Sequence, residues 1–171
     1  MANTFIKIST ITVGVGGAAS IDFTSIPATY TDLFVQISLR SNYANPYSNP
    51  QVRFNGATTN YSAKQLIGSG AAASSAGNSY TDGIDLPTMP ASTNTASTFG
   101  SVGLYIPNYA SANYKSVSSE GGEEGNSATQ YMELIAGLWS NTAAINQVTI
   151  VDKLGALVQY SSATLYGIKS S

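Results

Sequence analysis

Three glutamates stand close together in the chain, Glu120, Glu123 and Glu124, set among Gly121, Gly122, Gly125 and Asn126. Hard cations such as calcium take several oxygen ligands from a flexible loop, and this stretch offers oxygens on one. It lacks the Asp-x-Asp-x-Asp-Gly spacing of a helix–loop–helix calcium site. It therefore reads first as a solvated turn between two strands, and only second as a metal site. Asp82 and Asp85 lie on either side of Gly83. A pair of carboxylates can hydrolyse a glycosidic bond, their separation setting the stereochemical outcome. Nothing in the sequence gives these two a convergent pocket, and Asp and Gly make turns without any such role.

Composition removes most other chemistry. The chain has no histidine and no cysteine. The commonest general base is missing, so a Ser-His-Asp triad or a Cys-His pair cannot be built, and disulfides and thiolate metal sites are excluded. Gly14, Gly16 and Gly17 resemble a phosphate-binding loop only loosely, since no Gly-Lys-Ser/Thr follows and no helix opens there; a β-turn is expected. No catalytic residue and no cofactor are expected, and the chain reads as a non-enzyme.

The formal net charge is −2, and the seven basic residues (Lys7, Arg40, Arg53, Lys64, Lys115, Lys153 and Lys169) form no stripe. Nucleic-acid binding rests on neutralising phosphates, so it is not expected. No run of 18 apolar residues is present, and the first ten residues lack the apolar centre of a signal peptide. Charged residues make up 9% of the chain. A free monomer is normally kept soluble by a surface with roughly 25–35% charged residues, so a surface this poor in charge suits contact with other protein or with neutral sugars.

The aromatic residues point the same way. Tyr43 and Tyr47 stand among Asn42, Asn45, Pro46, Asn49 and Pro50, and Tyr109 follows Pro107 and Asn108. Tyrosine gives a large contact area at low entropic cost. Tyr43, Tyr47 and Tyr109, with Phe5 in the N-terminal strand, are the candidate protein contacts; the same tyrosines could stack on a glycan, or each could cap its own core with its hydroxyl in water. Trp139 is expected in the core.

The elements that must position these residues follow a period of two. Leu33, Val35, Ile37 and Leu39 share one face of a half-buried antiparallel strand. Residues 5–12 alternate without settling which face is buried. Residues 21–25 form a short strand stopped by Pro27. Further strands are expected at 51–54, 62–67, 98–106, 129–138, 147–151, 158–160 and 163–168, with a polar edge strand at 113–119. Met132, Leu134, Ala136 and Leu138 are assigned to one face, and Leu33, Val35, Ile37, Leu104, Leu134 and Ile150 to the core. Residues 142–146 suit a single helical turn. Residues 68–97, rich in Gly, Ala, Ser and Thr, read as a long surface loop or a segment ordered by a neighbouring subunit. Nine or ten short strands in one domain predict an all-β antiparallel sandwich, jelly-roll-like, spanning residues 1–171.

Three stretches taken together carry a resemblance: residues 22–33 (DFTSIPATYTDL), 137–145 (GLWSNTAAI) and 158–168 (VQYSSATLYGI), with residues 8–17 (ISTITVGVGG) in the same pattern. They resemble small virion structural proteins of tailed bacteriophages, marine and cyanobacterial ones in particular. These are strand-and-turn motifs, and residues 43–97 fall outside the resemblance. It implies a jelly-roll-type fold, often a trimer, located in the virion. The implied role is that of a capsid decoration (cement) subunit bound to sister subunits and the major capsid protein, or alternatively a tail-fibre module that recognises a host glycan.

Overall fold

The computed structural model describes residues 4–78, 82–126 and 130–169. Among these residues it contains fourteen strands and no helix: β1 (Phe5–Thr12), β2 (Ser20–Phe23), β3 (Asp32–Leu39), β4 (Tyr47–Ser48), β5 (Pro50–Phe54), β6 (Tyr61–Gly68), β7 (Ala73–Asn78), β8 (Ile84–Asp85), β9 (Met89–Pro90), β10 (Gly100–Ile106), β11 (Lys115–Gly122), β12 (Met132–Trp139), β13 (Val148–Asp152) and β14 (Ser162–Ile168). Eight form one sheet in the order β1-β14-β3-β10-β11-β12-β6-β7, four form a second in the order β2-β13-β5-β8, and β4 pairs with β9. Every pairing is antiparallel. The chain is an all-β sandwich, and among the described residues no helix is long and apolar enough to cross a membrane.

The pairing is that of a jelly roll. The strands β1, β2, β3, β5, β8, β10, β13 and β14, counted in that order as first to eighth, pair first with eighth, eighth with third and third with sixth in one sheet. In the other they pair second with seventh, seventh with fourth and fourth with fifth. That is a long antiparallel hairpin rolled once on itself, which produces two Greek keys. Two insertions widen the larger sheet. β6 and β7 enter between β5 and β8, β11 and β12 enter between β10 and β13, and together they add four strands beyond β10.

The core follows the period-two pattern. Leu33, Val35, Ile37 and Leu39 of β3 are buried, as are Val102, Leu104 and Ile106 of β10 and Val148 and Ile150 of β13. Buried side chains from both sheets make one cluster. β1 shows why its buried face could not be assigned. Its register with β14 shifts between Lys7 and Ser9, and the extra residue switches which parity faces inward. Ile8 and Ile11, of opposite parity, both pack on the core.

Five expectations need correction. The buried face of β12 is Glu133, Ile135 and Trp139, while Met132 and Leu134 are 69% and 46% exposed. Both faces of this strand are apolar, and the one with more apolar residues is not the one that fits. Gly137 lies inward, where an added Cβ would stand 2.6 Å from Ile84 Cγ2, and Glu133 is satisfied by Thr88, whose amide and hydroxyl donate to its Oε1. β11 is not an edge but is paired on both sides, by β10 and β12. Its inward face needs only Val117, the Lys115 stem and Ser119, with Lys115 Nζ donating to the carbonyls of Ser111 and Asn113. Residues 68–97 are not one long loop. They hold β7, β8 and β9, and Ile84, Leu86 and Met89 are fully buried; residues 79–81 lie outside the description. Residues 142–146 form no helical turn, because Asn141 Oδ1 accepts from the Ala143 amide and turns the chain locally. Residues 158–160 are likewise turn and not strand.

These assignments have a direct test. Ile37→Ala is expected to cost about 2–5 kcal/mol, because it empties a closed site, whereas Leu134→Ala, compared in the dissociated chain, is expected to cost under about 0.5 kcal/mol. Urea denaturation of the two variants checks this, and a larger loss at Leu134 would put the wrong face of β12 inward.

Candidate functional site

The outer face of the eight-stranded sheet is where the molecule departs most from an ordinary solvated surface. In a half-buried antiparallel sheet the outward residues are normally polar. Here the register lines up a row of Tyr166, Phe34, Tyr105, Ser118, Ala136 and Lys64 across β14, β3, β10, β11, β12 and β6. One step along, Gly103, Glu120, Leu134 and Leu66 form the next row. Phe5 packs on this face, its ring centroid 5.9 Å from Phe34 and 5.8 Å from Tyr166. The small residues Gly103, Ser118 and Ala136 leave a groove of about 790 Å³, walled by Phe34, Tyr105, Leu66 and Leu134, with Lys64 and Glu120 also lining it. Leu66 is 50% exposed, so this apolar wall is open to water. The groove runs toward β7, whose sequence, Ala-Ser-Ser-Ala-Gly-Asn, carries no charge or proline to discourage pairing with another strand. The opposite edge, β1, is blunted by its bulge and by Lys7.

The residues singled out from sequence are scattered by the fold. Glu120 projects from the outer face of β11 and is exposed, Glu124 is exposed, and Glu123 is buried. Among the described residues no three carboxylates gather to hold a metal. Asp82 is paired with Arg53 at 3.2 Å and Asp85 with Lys153 at 3.3 Å, while Gln51 Nε2 donates to both, at 3.2 and 2.9 Å. These bonds fasten β8 and the residues before it onto β5, so both carboxylates are engaged in structure. Phe5 is exposed on the outer face, as its candidacy requires. Tyr43 is half-buried, and its carbonyl accepts from the Ser92 amide and hydroxyl. Tyr47 is half-buried against Tyr131, edge to face with centroids 4.9 Å apart.

Tyr109 is not a surface contact. It is fully buried, donates its hydroxyl to the Pro27 carbonyl and accepts from the Tyr30 amide, and burial pushes its hydroxyl pKa up. It pins residues 27–30 to the turn after β10, which explains why a tyrosine in a Pro-Asn stretch lies inside. Among the described residues the exposed loop tyrosines are instead Tyr114 and Tyr160.

Several polar residues now seen to matter had little sequence signal. Asp152 is buried and accepts from the hydroxyls of Ser41 and Ser48 and the Leu154 amide, tying β13 to β4. The Arg40 guanidinium donates to the carbonyls of Asn94, Thr95 and Thr98, which holds residues 94–98 against the end of β3. Asn94 in turn donates to Glu123 Oε2 at 2.7 Å. Desolvation, with the charge of Glu124 beside it, pushes the Glu123 pKa up to about 7, and burial raises that of Glu133. The lone charge in Met-Glu-Leu-Ile-Ala-Gly-Leu-Trp was the one available hint of a buried polar site.

No protein-family model matches the chain, and no curated protein is similar to it.

Proposed function

We propose that the chain is a non-catalytic structural protein of a phage virion, a capsid decoration subunit that assembles with copies of itself, as a trimer, and seats on the major capsid protein. The observation that carries this reading is the outer sheet face, where Phe5, Leu66, Met132 and Leu134 are exposed and a groove opens beside Leu66 and Leu134. The face carries both Lys64 and Glu120, so one copy can complement the charge of another. Sister subunits are its occupants in this reading. The low charge of the whole chain and the jelly-roll pairing accord with it, as does the sequence resemblance to virion proteins. A partner that binds only the assembled shell adds to the shell's stability by mass action.

A second reading, a tail-fibre module that binds a host glycan, is favoured by the exposed Tyr114 and Tyr160 but loses Tyr109 as a stacking platform. Quantitative protein counting on purified virions separates the two. A decoration subunit is present in numbers comparable with the capsid protein and co-sediments with emptied shells. A fibre module is present in far fewer copies and stays with the tails.

A further inference from the structure

Glu123 is 5% exposed and Gln130 9% exposed. Glu123 Oε1 and Gln130 Oε1 are both buried and accept no hydrogen bond from any described residue. Two unsatisfied buried acceptors, one of them a carboxylate oxygen, are costly, since a buried acceptor without a donor forfeits its solvation. The two residues line one cavity of about 730 Å³, which Glu124 also lines from its exposed side. The remaining contacts hold this set in place. Asn94 fixes the other Glu123 oxygen, and Gly125 packs so closely on Asn94 and Gln130 that a Cβ there would overlap the Asn94 amide oxygen. Thr95 Oγ1 donates to the Gly125 carbonyl, closing the turn over the site. Arg40 is occupied by three backbone carbonyls and does not neutralise the pair by direct contact.

We infer that Glu123, Glu124 and Gln130 form a calcium site at the mouth of this cavity. Calcium suits the donor set, because it accepts carboxylate and amide oxygens in irregular geometry and completes its shell with water, whereas magnesium demands a near-ideal octahedron. With two carboxylates the affinity belongs to the weak class, Kd about 10⁻⁴–10⁻³ M. The inference is independent of the decoration reading.

Terbium, a luminescent stand-in for calcium, tests it on the full chain. Tyr131 lines the same cavity and serves as the sensitiser. Excitation of tyrosine is expected to give terbium emission that calcium competes away in the millimolar range, and calcium at about ten times Kd is expected to raise the melting temperature by about 3–6 °C. Glu123→Gln is expected to lose both responses, and Gln130→Ala to weaken binding at least about tenfold. Glu124 is exposed, so Glu124→Gln leaves the fold intact and decides the matter if Glu123→Gln does not fold; it too is expected to bind at least about tenfold more weakly. Emission that calcium does not displace, or unchanged calcium affinity in the folded variants, overturns the site.

Discussion

Replacing Trp139 by alanine is expected to lower the stability of the fold by about 3–5 kcal/mol. The indole is 1% exposed and sits against Phe54 at 5.7 Å and Tyr61 at 6.2 Å, the latter pair stacked. Tyr61 in turn accepts from the Phe54 amide through its hydroxyl at 2.9 Å. These three rings come from β12, β5 and β6, so they join the four-stranded sheet to the inserted strands of the larger one. Truncation leaves a cavity that β-sheet backbones on both sides cannot close. The indole Nε1 is buried with no acceptor among the described residues. Trp139→Phe removes that unsatisfied donor and is therefore expected to cost distinctly less than Trp139→Ala. Urea denaturation of both variants checks this, and a loss below about 1 kcal/mol for Trp139→Ala would show that the insertion is not coupled to the sandwich.

In metal-free buffer, stability is expected to fall as pH rises from 4.5 through 7, by about 3 kcal/mol from Glu123 alone. Its carboxyl has an ordinary value of 4.5 and is pushed up to about 7 in the fold by desolvation and the nearby Glu124 charge. Between those values the folded state holds a proton that the unfolded state has released, so each step up in pH favours unfolding. Above the folded value the contribution is flat. Glu133 shifts in the same direction and steepens the same window. Denaturation midpoints at pH 5 and pH 8 in the presence of a chelator measure the difference. In Glu123→Gln the slope should shrink to what Glu133 leaves, and a wild-type curve that rises across this window contradicts the burial of Glu123.

The sandwich was legible because β3 and β10 each place their aliphatic residues at a period of two, Leu33, Val35, Ile37 and Leu39 on one and Val102, Leu104 and Ile106 on the other. What the sequence concealed lies where a strand offers two plausible faces or where a single glycine decides. β12 is apolar on both sides, and only the fit of Gly137 against Ile84 and of Glu133 against Thr88 selects the inward one. The strands β8 and β9 are two residues each, too short for any period to show, and their burial depends on Ile84, Leu86 and Met89 scattered among Gly, Asp, Pro and Thr. The acidic stretch read as a solvated turn with a metal site as its second reading. Glu120 and Glu124 are exposed, but the turn folds Glu123 inward beside Gln130, a residue no pattern connects to it. Tyr109 was misplaced because its Pro-Asn setting reads as surface, whereas its hydroxyl has a buried carbonyl to meet.

Leu66 on β6 and Leu134 on β12, the second assigned to the core from the sequence and found exposed, are the residues on which the functional reading turns. Sedimentation equilibrium of the wild-type chain and of Leu134→Asp at micromolar concentration measures this most directly. The account predicts a trimer for the wild type and a folded monomer for Leu134→Asp, with an unchanged melting temperature when both are compared as monomers. A wild-type chain that is monomeric at that concentration, or a variant that associates as the wild type does, contradicts assembly through the outer face of the sheet.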